Sequence, residues 1–153
     1  MADSIGSILL KHTGLTEKEV DSLLSTETDA GVPIKDHLSK KSYEAPEDAV
    51  QDLCKLIGMD FIKDIPFNDI SVDLVRGIPI NFAKQNDVLP YKDDGLAIQV
   101  LISNPLNYRV LDDLRVILKK PTRPLMTTKS RIEDAINKVY EKSTAALEGL
   151  DDI

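Results

Sequence analysis

The residues able to do chemistry in this chain are few and badly spaced for it. His12 and His37 are the only histidines. Neither sits in an HxxxH or HExxH spacing that would place two ligands on one helix face, so surface or capping roles suit them better than metal binding. Cys54 is the single cysteine, which excludes an internal disulfide and a cysteine metal site. It falls on the apolar face of a helical pattern, the usual place of a small core residue rather than a nucleophile. Paired acids recur at Asp93/Asp94, Asp112/Asp113 and Asp151/Asp152. Each pair is adjacent in sequence, and adjacent helical residues point about 100° apart, a poor geometry for a shared acid–base site. No Ser/His/Asp order stands out.

One stretch, "LISNPLNYRVLDDLRV" at residues 101–116, reads as strand, tight turn and helix, the arrangement of many nucleotide-phosphate sites. Such a loop needs glycines so that backbone N–H groups can close around the anion, and usually a lysine. This turn has no glycine, and Pro105 removes a donor. Neither GxxxxGK[ST] nor GxGxxG occurs anywhere in the chain. The turn is therefore read as architecture, with Asn104 or Asn107 as a helix cap. No catalytic residue, cofactor or metal site emerges, and an enzyme is not expected.

Composition bounds the rest. With 153 residues, 42% hydrophobic and 29% charged, the chain has the balance of a soluble globular protein. It is long enough to bury roughly two-thirds of its unfolded surface. There is no Trp, so Leu, Ile and Val must make the core. A net charge of −7 argues against nucleic acid or an anionic membrane as main partner. Basic residues do gather at Lys119, Lys120, Arg123, Lys129 and Arg131, where a solvated face is the expectation. No apolar run approaches the roughly 18 residues of a membrane span, and the N-terminus has no basic lead into an apolar stretch. A reduced, cytoplasmic protein is expected.

The elements that would position any site follow from period and punctuation. Ile5, Ile8 and Leu9 fall at helical spacing up to Gly14. Thr16 and Glu19 form a capping box ahead of Val20, Leu23 and Leu24. Ile34 and Leu38 mark a weaker helix. Pro46, Glu47 and Asp48 open a stronger one with Val50, Leu53, Cys54 and Ile57 on one face, ended by Gly58. Residues 59–70 show no period and read as a connection, and two short helical pieces then break at Gly77-Ile78-Pro79. From residue 87 the pattern turns to strands. "DVLPY" and "LAIQVLIS" are joined across Asp94-Gly95, and the second is apolar enough for burial on both faces. A helix with Val110, Leu111, Leu114, Ile117 and Leu118 on its apolar face follows. "TRPLMTT" is a strand whose Pro124 belongs at an edge or a strand start. The last helix is capped by a Ser130/Glu133 box. The expectation is a mixed α+β protein with a helical unit over residues 1–62, a compact α/β domain with a three-stranded sheet over 63–142, and a linker or tail over 143–153.

With these elements in place, the quoted patterns resemble a known family. "IPINFAKQNDVLPY", a hairpin, "NPLNYRVLDDLR" and "PLMTTKSRIEDAINKVY" resemble the N-terminal region of traffic ATPases, the motors of type II secretion and type IV pilus assembly. The likeness runs over residues 69–142, with Asn104-Pro105 where the family usually has Asp-Pro. "IGSILLKHTGLTEKEVDSLL" resembles the domain preceding it. The resemblance implies a non-catalytic module, without the ATPase core, that docks such a motor on the cytoplasmic domain of an inner-membrane platform subunit of the protein L type. This agrees with the charge and the absence of a long apolar run, from which no nucleic acid and no direct membrane insertion are expected. Exposed apolar residues of the first unit, Leu10 and Leu15, are the expected contacts.

Some relatives bind cyclic-di-GMP through two helical motifs that open Arg-Leu-Gly and end in Gln. Here the degenerate counterpart is Ser4, Gly6, Leu9 and Gly14. The opening arginine is replaced by Ser4, the glycine step is one residue long, and Thr26-Glu27 stand in place of the Gln. A second copy around residues 32–41 matches less. An arginine meets phosphate bidentately and stacks on guanine, and serine does neither, so nucleotide binding is the alternative to docking. A stand-alone adaptor of the same fold is a third reading.

Overall fold

The computed structural model describes residues 4–151. Four helices come first: α1 Ile5–Thr13, α2 Glu17–Leu24, α3 Ile34–Ser39 and α4 Pro46–Ile57. Their ends are set by local chemistry. The Ser4 hydroxyl caps α1 by accepting the Ser7 N–H at 3.2 Å, and Gly14 closes the helix in the left-handed region at φ +76°. Thr16 caps α2 by accepting from the Glu19 N–H at 3.2 Å. The second half of the expected capping box is diverted, because the Glu19 carboxylate reaches across the fold and accepts from the Asn104 side-chain amide at 2.6 Å. Pro46 occupies the first turn of α4, with Glu47 and Asp48 at its positive end.

The second half contains β1 Asp60–Phe61, a 3-10 turn Phe67–Asp69, α5 Val72–Arg76, α6 Ile80–Asn86, β2 Val88–Asp93, β3 Ile98–Ile102, α7 Tyr108–Leu118, β4 Thr122–Met126 and α8 Lys129–Asp151. The sheet runs β1-β4-β3-β2, so it has four strands where three were expected. The added strand, β1, lies in the segment that read as a mere connection and pairs parallel with Leu125 and Met126. β2 and β3 are antiparallel, and β3 and β4 are parallel through α7. In the hairpin, Asp94 Oδ1 accepts from the Leu96 and Ala97 N–H groups, both at 2.9 Å, and Gly95 takes φ +93°. Pro124 is tolerated because β1 reaches only Leu125 and Met126, leaving the start of β4 open on that side.

Strand alternation divides the core in two. Ile98, Val100 and Ile102 of β3, with Val88 and Met126, share a cluster with Leu9, Val20, Leu38, Leu53, Leu111 and Leu114. Leu101, with Leu89, Tyr91 and Leu125, shares the other with Ile65, Val75, Ala83, Ile132, Ile136 and Val139. One sheet face therefore carries α1–α4 and α7, and the other carries α5, α6 and α8. The expectation that β3 is buried on both sides holds for this reason.

Three further expectations change. Ile117 was assigned to the apolar face of α7 but is 41% exposed, beside Val116 at 75%. α8 starts at Lys129, with the Ile132 N–H on the Thr128 carbonyl at 3.2 Å, so Ser130 is inside the helix rather than its cap. The same helix continues to Asp151, across residues expected to be linker.

Candidate functional site

The sequence-selected residues lie along α1, and the fold sends them to different places. Ser4 and Gly6 line an open cleft of about 830 Å³. Leu9 faces the other way and is fully buried in the core. Gly14 is at the far end of the helix, where an added Cβ would stand 3.5 Å from both the Asp87 carboxylate and the Lys129 side chain and 3.6 Å from Ser103 Oγ. The four residues of the degenerate motif are thus not one cluster. Gly6 packs α1 on α2, since a methyl there would meet Val20 and Leu24 at 3.6 and 3.9 Å. The Ser4 hydroxyl is engaged in its own helix cap.

The two candidate contact residues also separate. Leu10 is 39% exposed, as expected. Leu15 was expected at the surface but is 3% exposed and packed in the first core cluster. The α1–α2 turn folds it inward, so it offers no contact in this conformation.

Across from the α1 N-terminus, the cleft is walled by Lys35 and Leu38 of α3 and by all of residues 40–46. Sequence reasoning passed over Lys35, Lys40, Lys41 and Tyr43. The available signals were the weak second motif copy around residues 32–41 and "SKKSYE", basic and aromatic residues between two helical patterns. Lys41 pairs with Asp52 at 3.2 Å. Burial, and then the neighbouring Asp52 carboxylate, push the Tyr43 phenol up to about 12. The wall offers ammonium groups, hydroxyls and an aromatic face to a ligand. Two carboxylates, Asp21 and Glu44, also line the cleft, and no histidine or cysteine does.

Elsewhere the chemistry is structural. Cys54 is buried, and burial lifts its thiol to about 12, as suits a core residue. No group of three or more His, Cys, Asp or Glu among the described residues is placed to hold a metal. The basic cluster is not a patch. Lys120 pairs with Asp93 at 2.5 Å, Arg123 with Asp94 at 3.7 Å, Lys129 with Asp87 at 3.8 Å, and Arg131 with Glu47. Asn104 is no N-cap either. Its Oδ1 accepts the Leu106 N–H at 2.9 Å in a turn, its amide holds Glu19, and Asn107 occupies the cap position of α7 without a side-chain bond. Exposed apolar side chains occur at Leu10, Ile80, Leu96, Val116 and Ile117. No described helix is long and apolar enough to cross a membrane.

Comparison with known proteins agrees with this layout. Residues 57–146 match the MshEN domain. Over 100 residues the chain is 30% identical to the type IV pilus assembly ATPase PilB of Pseudomonas aeruginosa, covering 65% of this chain and 16% of that protein. The chain therefore corresponds to a small part of that relative's length. Among solved structures, MshE with cyclic-di-GMP superposes with a TM-score of 0.53 at 15% identity, over 91% of this chain and 100% of that one. The N-terminal domain of XpsE gives 0.50 at 16% identity, over 90% and 96%. At such identities the likeness is one of fold.

Proposed function

Because the chain belongs to the MshEN domain family and corresponds to the N-terminal region of secretion and pilus motor ATPases, we propose that it is a non-catalytic docking module. It connects a motor of this kind to the cytoplasmic domain of an inner-membrane platform subunit, and so works in the cytoplasm at the membrane through a partner. The domain match over residues 57–146 carries the reading. The exposed Leu10 on α1 supports it. The test is titration with the cytoplasmic domain of a protein L-type platform subunit. Saturable binding that Leu10→Asp weakens tenfold or more is expected, and flat heats across platform subunits of both secretion and pilus systems would overturn it.

A second reading has its own observation. The cleft between the α1 N-terminus and residues 40–46 holds Ser4 and Gly6 of the degenerate motif together with Lys35, Lys40 and Lys41, and a protein of the same fold, MshE, has been solved with cyclic-di-GMP. Lysines can meet its phosphates as point charges. No arginine lines the cleft, which removes bidentate phosphate contact and guanine stacking and puts this reading second. Calorimetric titration with cyclic-di-GMP decides it. Binding at about micromolar or tighter, lost in Lys40→Ala/Lys41→Ala, would make the module a nucleotide sensor, and flat heats would remove the reading.

A further inference from the structure

The two walls of the cleft are each tied to the start of α8, by separate routes. The first route is α1. Its N-terminal residues Ser4, Ile5, Gly6 and Ile8 line the cleft. Nine residues after Ile5, about 13 Å along a stiff helix, Gly14 lies so near Asp87 and Lys129, the first residue of α8, that an added Cβ would stand 3.5 Å from each of those side chains. The second route is α4. Residues 40–46 form the opposite wall and run directly into α4, where Glu47 in the first turn pairs with Arg131 of α8. That pair is mostly enclosed, with side-chain exposures of 28% for Arg131 and 21% for Glu47. The loop itself is held by few polar ties: the Lys41 N–H reaches the Leu38 carbonyl at 3.3 Å, Lys41 meets Asp52 at the surface, and Tyr43 packs against the first core cluster. α4 also has no side-chain cap, since Ala45 stands at that position. The ion pair to α8 thus ties the loop end of that wall to α8, beside the burial of Ala49, Val50 and Leu53 that seats α4 in the core.

From this convergence on Lys129 and Arg131 we infer that the first turn of α8 and the cleft form one coupled unit. Whatever changes the spacing of the cleft walls is felt at α8, and a perturbation of α8 alters the cleft. Coupling of this kind is reciprocal and needs a contiguous set of rigid elements with polar ties, which α1, α4 and their two contacts with α8 supply. The inference holds whichever reading of the cleft is right, because it concerns the free protein.

Hydrogen exchange on the unliganded chain tests it, with Arg131→Gln, Glu47→Gln and the double substitution. Loss of the tie should speed exchange of the hydrogen-bonded Lys40 and Lys41 amides, on the cleft side of α4, about tenfold, a change of about 1.4 kcal/mol in local opening. The two single substitutions should match, the double should add nothing, and β2 and β3 should keep their protection. Arg131→Lys, which retains the charge, should give a smaller effect and carries the test if Arg131→Gln unfolds. Exchange changes confined to α8 and the first turn of α4, with Lys40 and Lys41 unaltered, would overturn the inference. So would additive effects of the two single substitutions.

Discussion

Leu9 and Leu10 are neighbours in sequence with opposite fates, and that contrast gives the sharpest test of how α1 is seated. Leu9 is fully buried and Leu10 is 39% exposed. Truncating a buried leucine to alanine loses its transfer energy and leaves a cavity, together about 2–5 kcal/mol. Leu9 lies inside the cluster shared by the helices and the sheet, where little can collapse to fill the space, so about 3 kcal/mol is expected. At roughly 2–4 °C per kcal/mol for a domain of this size, Leu9→Ala should lower Tm by about 6–12 °C. Leu10→Ala should stay within about 0.5 kcal/mol of the parent. Urea unfolding followed by circular dichroism measures both. Equal losses, or a Leu9→Ala cost below about 1 kcal/mol, would mean that α1 is rotated or unseated and that the walls of the cleft are misplaced. The same pair separates folding from docking, since a Leu10 substitution that weakens platform binding does so at unchanged stability.

Other consequences are as concrete. Cys54, buried with its thiol raised to about 12, should react with iodoacetamide at pH 8 about three orders of magnitude more slowly than after denaturation in urea. Comparable rates would show that the α4 face is open. Tyr140 donates to the Ile78 carbonyl at 2.8 Å, so Tyr140→Phe should cost about 1 kcal/mol in urea unfolding. Asp87 is the third case. Burial, only partly offset by Lys129, holds its carboxyl above the usual value of 3.8, so the folded state binds its proton more tightly than the unfolded chain does. Stability then falls as pH rises from 3.8 through the raised value, and the penalty stays constant above it. Asp87→Asn removes that penalty and suits the left-handed backbone at φ 49°. Its gain over the parent should grow as pH rises through the acidic range and level off by neutrality. A gain largest at acidic pH would refute the assignment.

What the sequence disclosed was chiefly what repeats or punctuates. Gly14, Gly58 and Gly95 end their elements in the left-handed region as their positions imply, and the apolar spacing of α4 and β3 fixed their buried faces. β1 was invisible because two residues carry no period, and its pairing with Leu125 lies some sixty residues away in sequence. The diversion of Glu19 to Asn104 was equally out of reach, since a capping box is a local rule and the competing amide comes from the other half of the chain. Leu15 misled because a leucine after a glycine in a turn looks exposed until the turn is folded inward. The cleft was half legible. Its α1 wall was named through Ser4 and Gly6, while Lys35 belongs to the short helix α3 and Lys40 and Lys41 to the segment after it, whose composition alone does not say what it faces.

The position of β1 also decides how the molecule carries load. The helices precede β1 and α8 follows β4, and the two strands are parallel neighbours. Tension between α4 and α8 therefore pulls β1 and β4 from opposite ends and slides them past each other, instead of peeling them apart. The cross-strand bonds, with the Ile62 N–H on the Met126 carbonyl at 2.9 Å among them, are then stressed together rather than one at a time. Resistance to such a pull is governed by the unfolding rate rather than by equilibrium stability. On the docking reading proposed above, a two-residue strand in that place matters more than its length implies.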